Sequence, residues 1–464
     1  MKKLLVGIVA LAGTACSNPK APAPPAQTGL EGAWKSDGYG FVVVATGDSL
    51  QAYEVTQTTC VPSFTGLRRA ATDPGTEATY ESDGQVLAVS AGLDPSQKQL
   101  KSDGAASYMV LRRLPSRPAV CDRPTPDTHE GNFEVFAATW AEHYILFDEK
   151  GADWPAIVAA ARANVTPATT PEQLFDIMQG MIARFEDAHT FIVADSIKRR
   201  FRTLRGGTDR VAKSGMADFP TKDLPWILSV TDRRLTGALQ KWCNDQVQYG
   251  HVDDSTGYLR ILSESGYTKD GGFAAGLVAL EAALDTIFSD PKLTGLVLDV
   301  RINFGGADPY GLALASRLAT AEYVAYSKEA RIDPADRTKW TPGQASVVRP
   351  GSRPGFKGPV VELIGPLTIS AGETTTQALM GRAPKVLRVG ENTQGVFSDV
   401  LGRRLPNGWR FGLPNEVFRT ADGKTFDGPG IPPDIAVPVF ADADLKAGRD
   451  PGLARAVAAL RSGR

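Results

Sequence analysis

The spacing of apolar positions divides the chain into three regimes. From residue 30 to about 113, short runs of β-branched and aromatic residues are broken by turn residues. Tyr39–Ala45 is one run, a Gly47-Asp48 turn follows, Leu50–Thr56 returns, and Tyr108–Leu111 fits a later strand. This stretch is expected to be a small all-β module. From about 129 the period becomes helical. Aromatic residues recur along Phe136–Tyr144, and Leu174, Ile177, Met178, Met181 and Phe185 form a single stripe. That second helix opens on Thr170 as N-cap, Pro171 at the first helical position and Gln173 as the partner of a capping box. From about 256 strands and helices alternate. Tyr258–Leu262 is a strand, and Phe273, Leu277, Leu280, Leu284 and Ile287 mark an amphipathic helix. The apolar run Gly295–Val300, a helix over Gly311–Leu318, the run Val360–Ile364 and a helix over Ala371–Leu379 follow.

Continuous apolar strands joined by helices predict an α/β fold with a largely parallel sheet and crossover helices. The expected organisation is an all-β module over 30–113, a linker over 114–128 with four prolines, a helical subdomain over 129–255 and an α/β core over 256–464.

The N-terminus adds a destination. Met1-Lys2-Lys3 is positive, and Leu4–Ala12 is apolar but too short to span a bilayer. Residues 1–16 therefore read as a secretory signal. Ending in Gly13-Thr-Ala-Cys16, the segment resembles a bacterial lipoprotein signal, which implies lipidation of Cys16 and a periplasmic or outer-membrane-anchored protein. Gly13 stands where that motif usually has Leu, so plain cleavage near Ala15 is the alternative. Residues 17–29 are a Pro/Ala-rich tether. Export implies an oxidising compartment. Cys60 and Cys121 bracket much of the β module and are expected to form a disulfide. Cys243, at helical spacing from Leu235, Leu239 and Trp242, is expected to be a buried, inert thiol on a helix.

Composition narrows the function classes. Of 464 residues, 42% are hydrophobic and 22% charged, enough apolar material for a sizeable core. A formal net charge of -1 gives no electrostatic case for nucleic acid. With four His and no CxxC or HExxH motif, no metal and no cofactor are expected.

Two segments could carry chemistry. Ser370 lies where an apolar strand, a Gly-Pro turn and a helix meet. A helix cap with Glu373 explains it structurally. A hydroxyl presented at the carboxyl edge of a parallel sheet, beside free helix amides, explains it functionally. In Asp299-Val-Arg301-Ile-Asn303-Phe-Gly305-Gly306, a buried strand ends in two glycines, and Asp299 and Arg301 are placed to form an ion pair.

Together these segments resemble C-terminal processing peptidases and tricorn-core proteases. Asp299–Gly306 is similar to their Asp-Leu-Arg-Asn-Asn-Pro-Gly-Gly signature, and Leu367–Glu373 to their nucleophile segment. Val389–Gly395 and Phe426–Asp434 resemble two later elements in the same order. The resemblance implies Ser370 as nucleophile. One branch of the family places a Lys after the Gly of the Gly-Glu-x-Thr-x-Gly loop; here that position is Val396, so a Ser-Lys dyad is not supported. The tricorn-like branch uses an upstream His, which Asp187-Ala188-His189-Thr190 matches. The resemblance then implies His189 as general base, Asp427 (where Glu is usual) as the acid orienting it, and the amides of Gly306 and Ala371 as oxyanion hole. Asp187 and Glu373 are alternatives for the acid. Residues 191–255 are short for a PDZ module and lack its Gly-Leu-Gly-Phe-like loop. The implied activity is that of an exported serine endopeptidase or carboxy-terminal processing-type peptidase acting on a peptide or protein, with membrane attachment only through the N-terminal lipid. The alternative is a catalytically degenerate ligand-binding or scaffold lipoprotein of the same fold, as interphotoreceptor retinoid-binding protein exemplifies.

Overall fold

The alternation in the N-terminal third resolves into a closed barrel. In the computed structural model, which describes residues 30–69, 75–82, 85–203, 219–269 and 271–462, eight antiparallel strands run around it. They are β1 (Gly32–Ser36), β2 (Phe41–Thr46), β3 (Ser49–Val55), β4 (Cys60–Arg69), β5 (Thr76–Ser82), β6 (Gln85–Ala91), β7 (Gln97–Ser102) and β8 (Met109–Leu114). Pairing of Ala33 with Leu114 brings β8 back to β1, so no edge is left to template association. Inward-facing Trp34, Leu50, Tyr80, Val89 and Leu100 form the barrel core. The signal over 1–16, with Cys16, and the tether over 17–29 lie outside the described residues.

The linker is stapled to the barrel. A disulfide joins Cys60, at the start of β4, to Cys121 in the 3-10 turn Ala119–Asp122. The Thr125 amide and hydroxyl add hydrogen bonds to the Cys60 backbone at 2.9 and 3.1 Å.

Three helices follow: His129–His143, Trp154–Arg162 and Pro171–Ile182. The last carries the complete Thr170/Gln173 capping box and Pro171 in its first turn. Their shared core is aromatic, with Trp140 stacked on Phe185 at 5.3 Å between ring centres. Beyond them, β9 (Phe191–Ala194) and β10 (Arg199–Arg202) join two strands from far along the chain, β21 (Val400–Arg404) and β22 (Arg410–Pro414). The sheet order is β10-β9-β22-β21, so the helical region and the last third of the chain share one sheet. Phe136 packs on Phe411 at 5.0 Å across it.

The segment around Cys243 differs from expectation. It is a hairpin, β11 (Gln240–Trp242) and β12 (Val247–His251), not a helix. Cys243, Asn244 and Asp245 all adopt positive φ, which an α-helix cannot hold. Burial still makes the Cys243 thiol inert, pushing its pKa up to about 11.

The main sheet has seven strands in the order β11-β12-β13-β14-β18-β20-β24. From β13 (Thr256–Ile261) through β14 (Gly295–Asp299), β18 (Val360–Ile364), β20 (Leu387–Gly390) and β24 (Ile435–Ala436), every pairing is parallel. Residues of β13, β14 and β18 are buried throughout because helices cover both faces, which explains their unbroken apolar runs. Phe273–Phe288, Asp308–Leu318 and Ala371–Leu379 are the crossover helices, and Pro451–Arg461 closes the chain. At the carboxyl end of β14 the buried Arg301 guanidinium bonds Asp299 at 2.6 Å and Asp450 at 2.8 Å. Burial alone would raise the Asp450 pKa, but Arg301 draws it down to about 2.

Candidate active site

Two short parallel strands set up the site. β15 (Ile302–Asn303) pairs with β19 (Leu367–Thr368), which lays the Gly305-Gly306 turn beside Ile369 and Ser370. The Ile369 amide continues the ladder to the Asn303 carbonyl at 2.9 Å. Ser370 then turns the chain into the helix with φ 57° and ψ −121°. A serine held in that region stores strain, and such positions concentrate at functional sites. Only glycine fits opposite: a Cβ on Gly305 would stand 2.6 Å from the Ser370 Cβ. Ser370 and Glu373 form the expected capping box, the Ser370 amide donating to Glu373 Oε2 at 3.3 Å, and the Glu373 amide also donates to the Ser370 carbonyl at 2.7 Å. Among the described residues, the amides of Gly306 and Ala371 have no hydrogen-bond acceptor. The Ser370 hydroxyl and two amides without an acceptor therefore lie around one turn, the arrangement that can stabilise an oxyanion formed on attack.

Glu373 ties this turn to the following loop. Its carboxylate accepts from the amides of Gly395 at 2.6 Å, Val396 at 2.8 Å and Ser370 at 3.3 Å. Burial raises its pKa to about 7 against these hydrogen bonds. Val396 fills an apolar cluster with Ile302, Ile369 and Ala188, and Ala188 is the immediate neighbour of His189. That cluster brings the histidine segment against the serine segment, although 180 residues of sequence lie between them.

The histidine segment is shaped by its own aspartate. Asp187 Oδ1 accepts from the His189 amide at 2.8 Å, and the hydroxyls of Thr190 and Thr203 both donate to the Asp187 carbonyl. β9 starts two residues after His189, so the ring sits where the turn enters the sheet. The ring is buried, 6% exposed, and its Nδ1 has no partner. Burial, reinforced by Arg202, lowers its pKa to about 4, while Asp399 and the Ser398 carbonyl favour the protonated form. The described contacts include no hydrogen bond between Ser370 and His189; catalytic hydrogen bonds are often long until substrate binds.

Asp427 stands in different contacts from those the sequence suggested. Its oxygens accept from the Phe397 amide at 3.2 Å, the Phe418 amide at 3.3 Å and the Thr425 hydroxyl at 2.9 Å, and neither bonds His189. The side chain braces the 395–399 loop from behind, and burial lifts its pKa to about 7. Asp187 Oδ2 is likewise buried without a partner, and burial brings that carboxyl to about 6.

A charge cluster around the buried Lys328 and Glu416, behind the same loop, gave no sequence signal. Lys328, on β16 (Tyr323–Ala330), pairs with Asp399 at 2.6 Å and Glu416 at 3.2 Å. Glu416 also accepts from the Asp399 amide at 3.0 Å and from the Tyr39 hydroxyl, contributed by the β1–β2 turn of the barrel. The two carboxylates hold the ammonium charged, its pKa well above the usual value despite burial. Lys328 sits in an ordinary strand pattern and its partners lie far away in the chain, so neither period nor motif could reveal it.

Residues 255–437 match the model of peptidase family S41. No curated protein matches the sequence. Among solved structures, a protein of Parabacteroides merdae ATCC 43184 assigned as a peptidase is similar at 22% identity, covering 72% of this chain and 97% of that one, with a TM-score of 0.58. Mature CPAF is similar at 13% identity over 72% of this chain and 98% of its own, TM-score 0.54. Mature CPAF complexed with lactacystin gives 12%, 73%, 99% and 0.53. These likenesses establish a shared fold, and the match to the family model adds the chemistry. Residues 255–437, with the glycine turn and Ser370 among them, therefore belong to peptidase family S41, and the chain is a serine-type peptidase.

Proposed function

We propose that the protein is an exported serine endopeptidase or carboxy-terminal processing-type peptidase that cleaves peptide bonds through an acyl-enzyme. Ser370 Oγ attacks the scissile carbonyl carbon as its proton passes to His189. The Gly306 and Ala371 amides hold the resulting oxyanion. Collapse breaks the C–N bond, and His189 returns the proton to the departing amine. Water then repeats the sequence on the ester and frees Ser370. The observation that carries this reading is the strained Ser370 turn, which sets its hydroxyl beside two amides that have no acceptor among the described residues. With a pKa of about 4, His189 is neutral at pH 7 and able to accept a proton. The unpartnered Nδ1 is the observation that favours the degenerate, ligand-binding reading. Attachment through a lipid on Cys16, in the periplasm or on the outer membrane, rests on the signal sequence and agrees with a disulfide that needs an oxidising compartment.

Labelling with a fluorophosphonate tests the activity. Wild type should label on Ser370, Ser370→Ala should not, and His189→Ala should label about 10²-fold to 10⁴-fold more slowly. A folded wild type that does not label removes the peptidase reading. The mass of the mature N-terminus, compared with that of Cys16→Ser, tests the anchor.

A further inference from the structure

The barrel interior is only half filled. Toward one end Leu30, Trp34, Leu50 and Tyr80 pack solidly. At the other end, where β1 turns into β2 and β7 into β8, a cavity of about 310 Å³ remains. Its lining is apolar at depth, with Val43, Leu87, Leu100 and Leu111 all buried, and polar toward the mouth, with Ser82 and Ser102. An eight-stranded barrel is either filled by its own side chains or wide enough for one small ligand. This barrel does the first at one end and leaves room for the second at the other.

The mouth faces a cation from outside the barrel. Arg404, the last residue of β21, lines the cavity. Its backbone amide donates to Glu54 Oε2 at 2.8 Å, and Glu54 Oε1 accepts from the Ser63 hydroxyl at 2.8 Å. The nearby barrel acid therefore holds the strand in place and forms no ion pair with the Arg404 guanidinium. That guanidinium has no hydrogen bond or ion pair to any described residue. Its neighbour Arg403 is the contrast: buried, over the Phe41 ring at 4.3 Å and bonded to the Tyr39 carbonyl.

An apolar chamber below a free guanidinium has a definite complement. We propose that the barrel cavity binds a small amphiphile, one unbranched apolar chain ending in a carboxylate, with the chain among Leu87, Leu100 and Leu111 and the carboxylate on Arg404. The volume sits at the low end of ligand sites, which suits a single medium-length chain and is too small for a folded peptide. Arginine matches a carboxylate bidentately, so the head group, not only the tail, is selected. The site does not depend on the Ser370 chemistry, and it uses none of the residues assigned to that chemistry.

Titration calorimetry with decanoate and decanol on the full chain tests the site. Wild type should bind decanoate saturably with one site, at least about tenfold tighter than decanol. Arg404→Gln should abolish that preference and leave decanol binding unchanged. Leu100→Trp, which fills the chamber, should abolish binding of both while fluorophosphonate labelling and melting temperature stay at wild-type values. Absence of decanoate binding by wild type, or decanoate binding that survives both substitutions, overturns the proposal.

Discussion

Asp427→Asn separates two descriptions of the site that differ by orders of magnitude. If Asp427 oriented the His189 imidazole, the amide would leave the ring in the wrong tautomer, and the acylation rate would fall by about 10⁴. The contacts point elsewhere, since both carboxyl oxygens are taken by the Phe397 and Phe418 amides and the Thr425 hydroxyl. Asparagine keeps one acceptor and turns an NH2 toward a donor. One buried amide then loses its partner, at a cost of about 1–3 kcal/mol. The lost charge matters less than usual, because burial already brings this carboxyl to a pKa of about 7. The variant should therefore melt earlier and acylate only roughly tenfold more slowly, through a slackened 395–399 loop near His189. The assay is the second-order rate of fluorophosphonate labelling, measured beside a thermal melt well below the transition. A loss of 10³-fold or more at unchanged melting temperature would refute this reasoning and return Asp427 to the imidazole.

Further outcomes follow from the same geometry. Gly305→Ala places a methyl 2.6 Å from the Ser370 Cβ at φ +79°, so labelling should drop by about 10²-fold, with a stability loss of about 1–3 kcal/mol by melting. The acidic limb of the labelling rate should fall near pH 4, the pKa of His189, and not near 6.5; a limb at 6.5 would mean a solvated ring. Because that folded pKa is depressed, the stabilising contribution of the neutral ring is complete above pH 6.5 and is lost as pH falls toward 4. Glu373 and Asp427, both raised to about 7, act with the opposite sign: their contribution is complete below the ordinary carboxylate range and is lost as pH rises through 7. Melts of His189→Gln between pH 4 and 7 should therefore show a shallower acid loss than wild type. Cys60→Ser with Cys121→Ser opens a loop of 61 residues and should cost about 4 kcal/mol, measured as an earlier barrel transition with labelling retained.

Much of the catalytic half could be read from the chain. The unbroken apolar runs of β14 and β18, and the helix boundaries at Thr170 and Ser370, follow from local rules that tertiary structure does not override here. The Cys243 segment was misread because Leu235, Leu239 and Trp242 fall at helical spacing by coincidence, while the turn residues Asn244 and Asp245 carried the true signal. Closure of the barrel and the mixed sheet β10-β9-β22-β21 depend on pairings between distant strands, which no local period encodes. Asp427 illustrates a subtler limit. The motif locates the residue, but which neighbour takes its oxygens depends on backbone amides at 397 and 418, and amides leave no trace in sequence.

The Tyr39 contact with Glu416 joins positions 377 residues apart. Lys328 and Glu416 can be shut away from water only after the barrel turn has arrived to complete their surroundings, and a buried ammonium with incomplete partners is costly. Segments 377 residues apart must both be in place before the loop beside His189 is firm. Assembly of the machinery is in this sense a test of completeness: a chain still emerging, or one clipped at its amino end, holds Ser370 without a settled loop beside its base. Deletion of 30–114 should then leave a protein that labels slowly even where its parallel sheet is folded by circular dichroism.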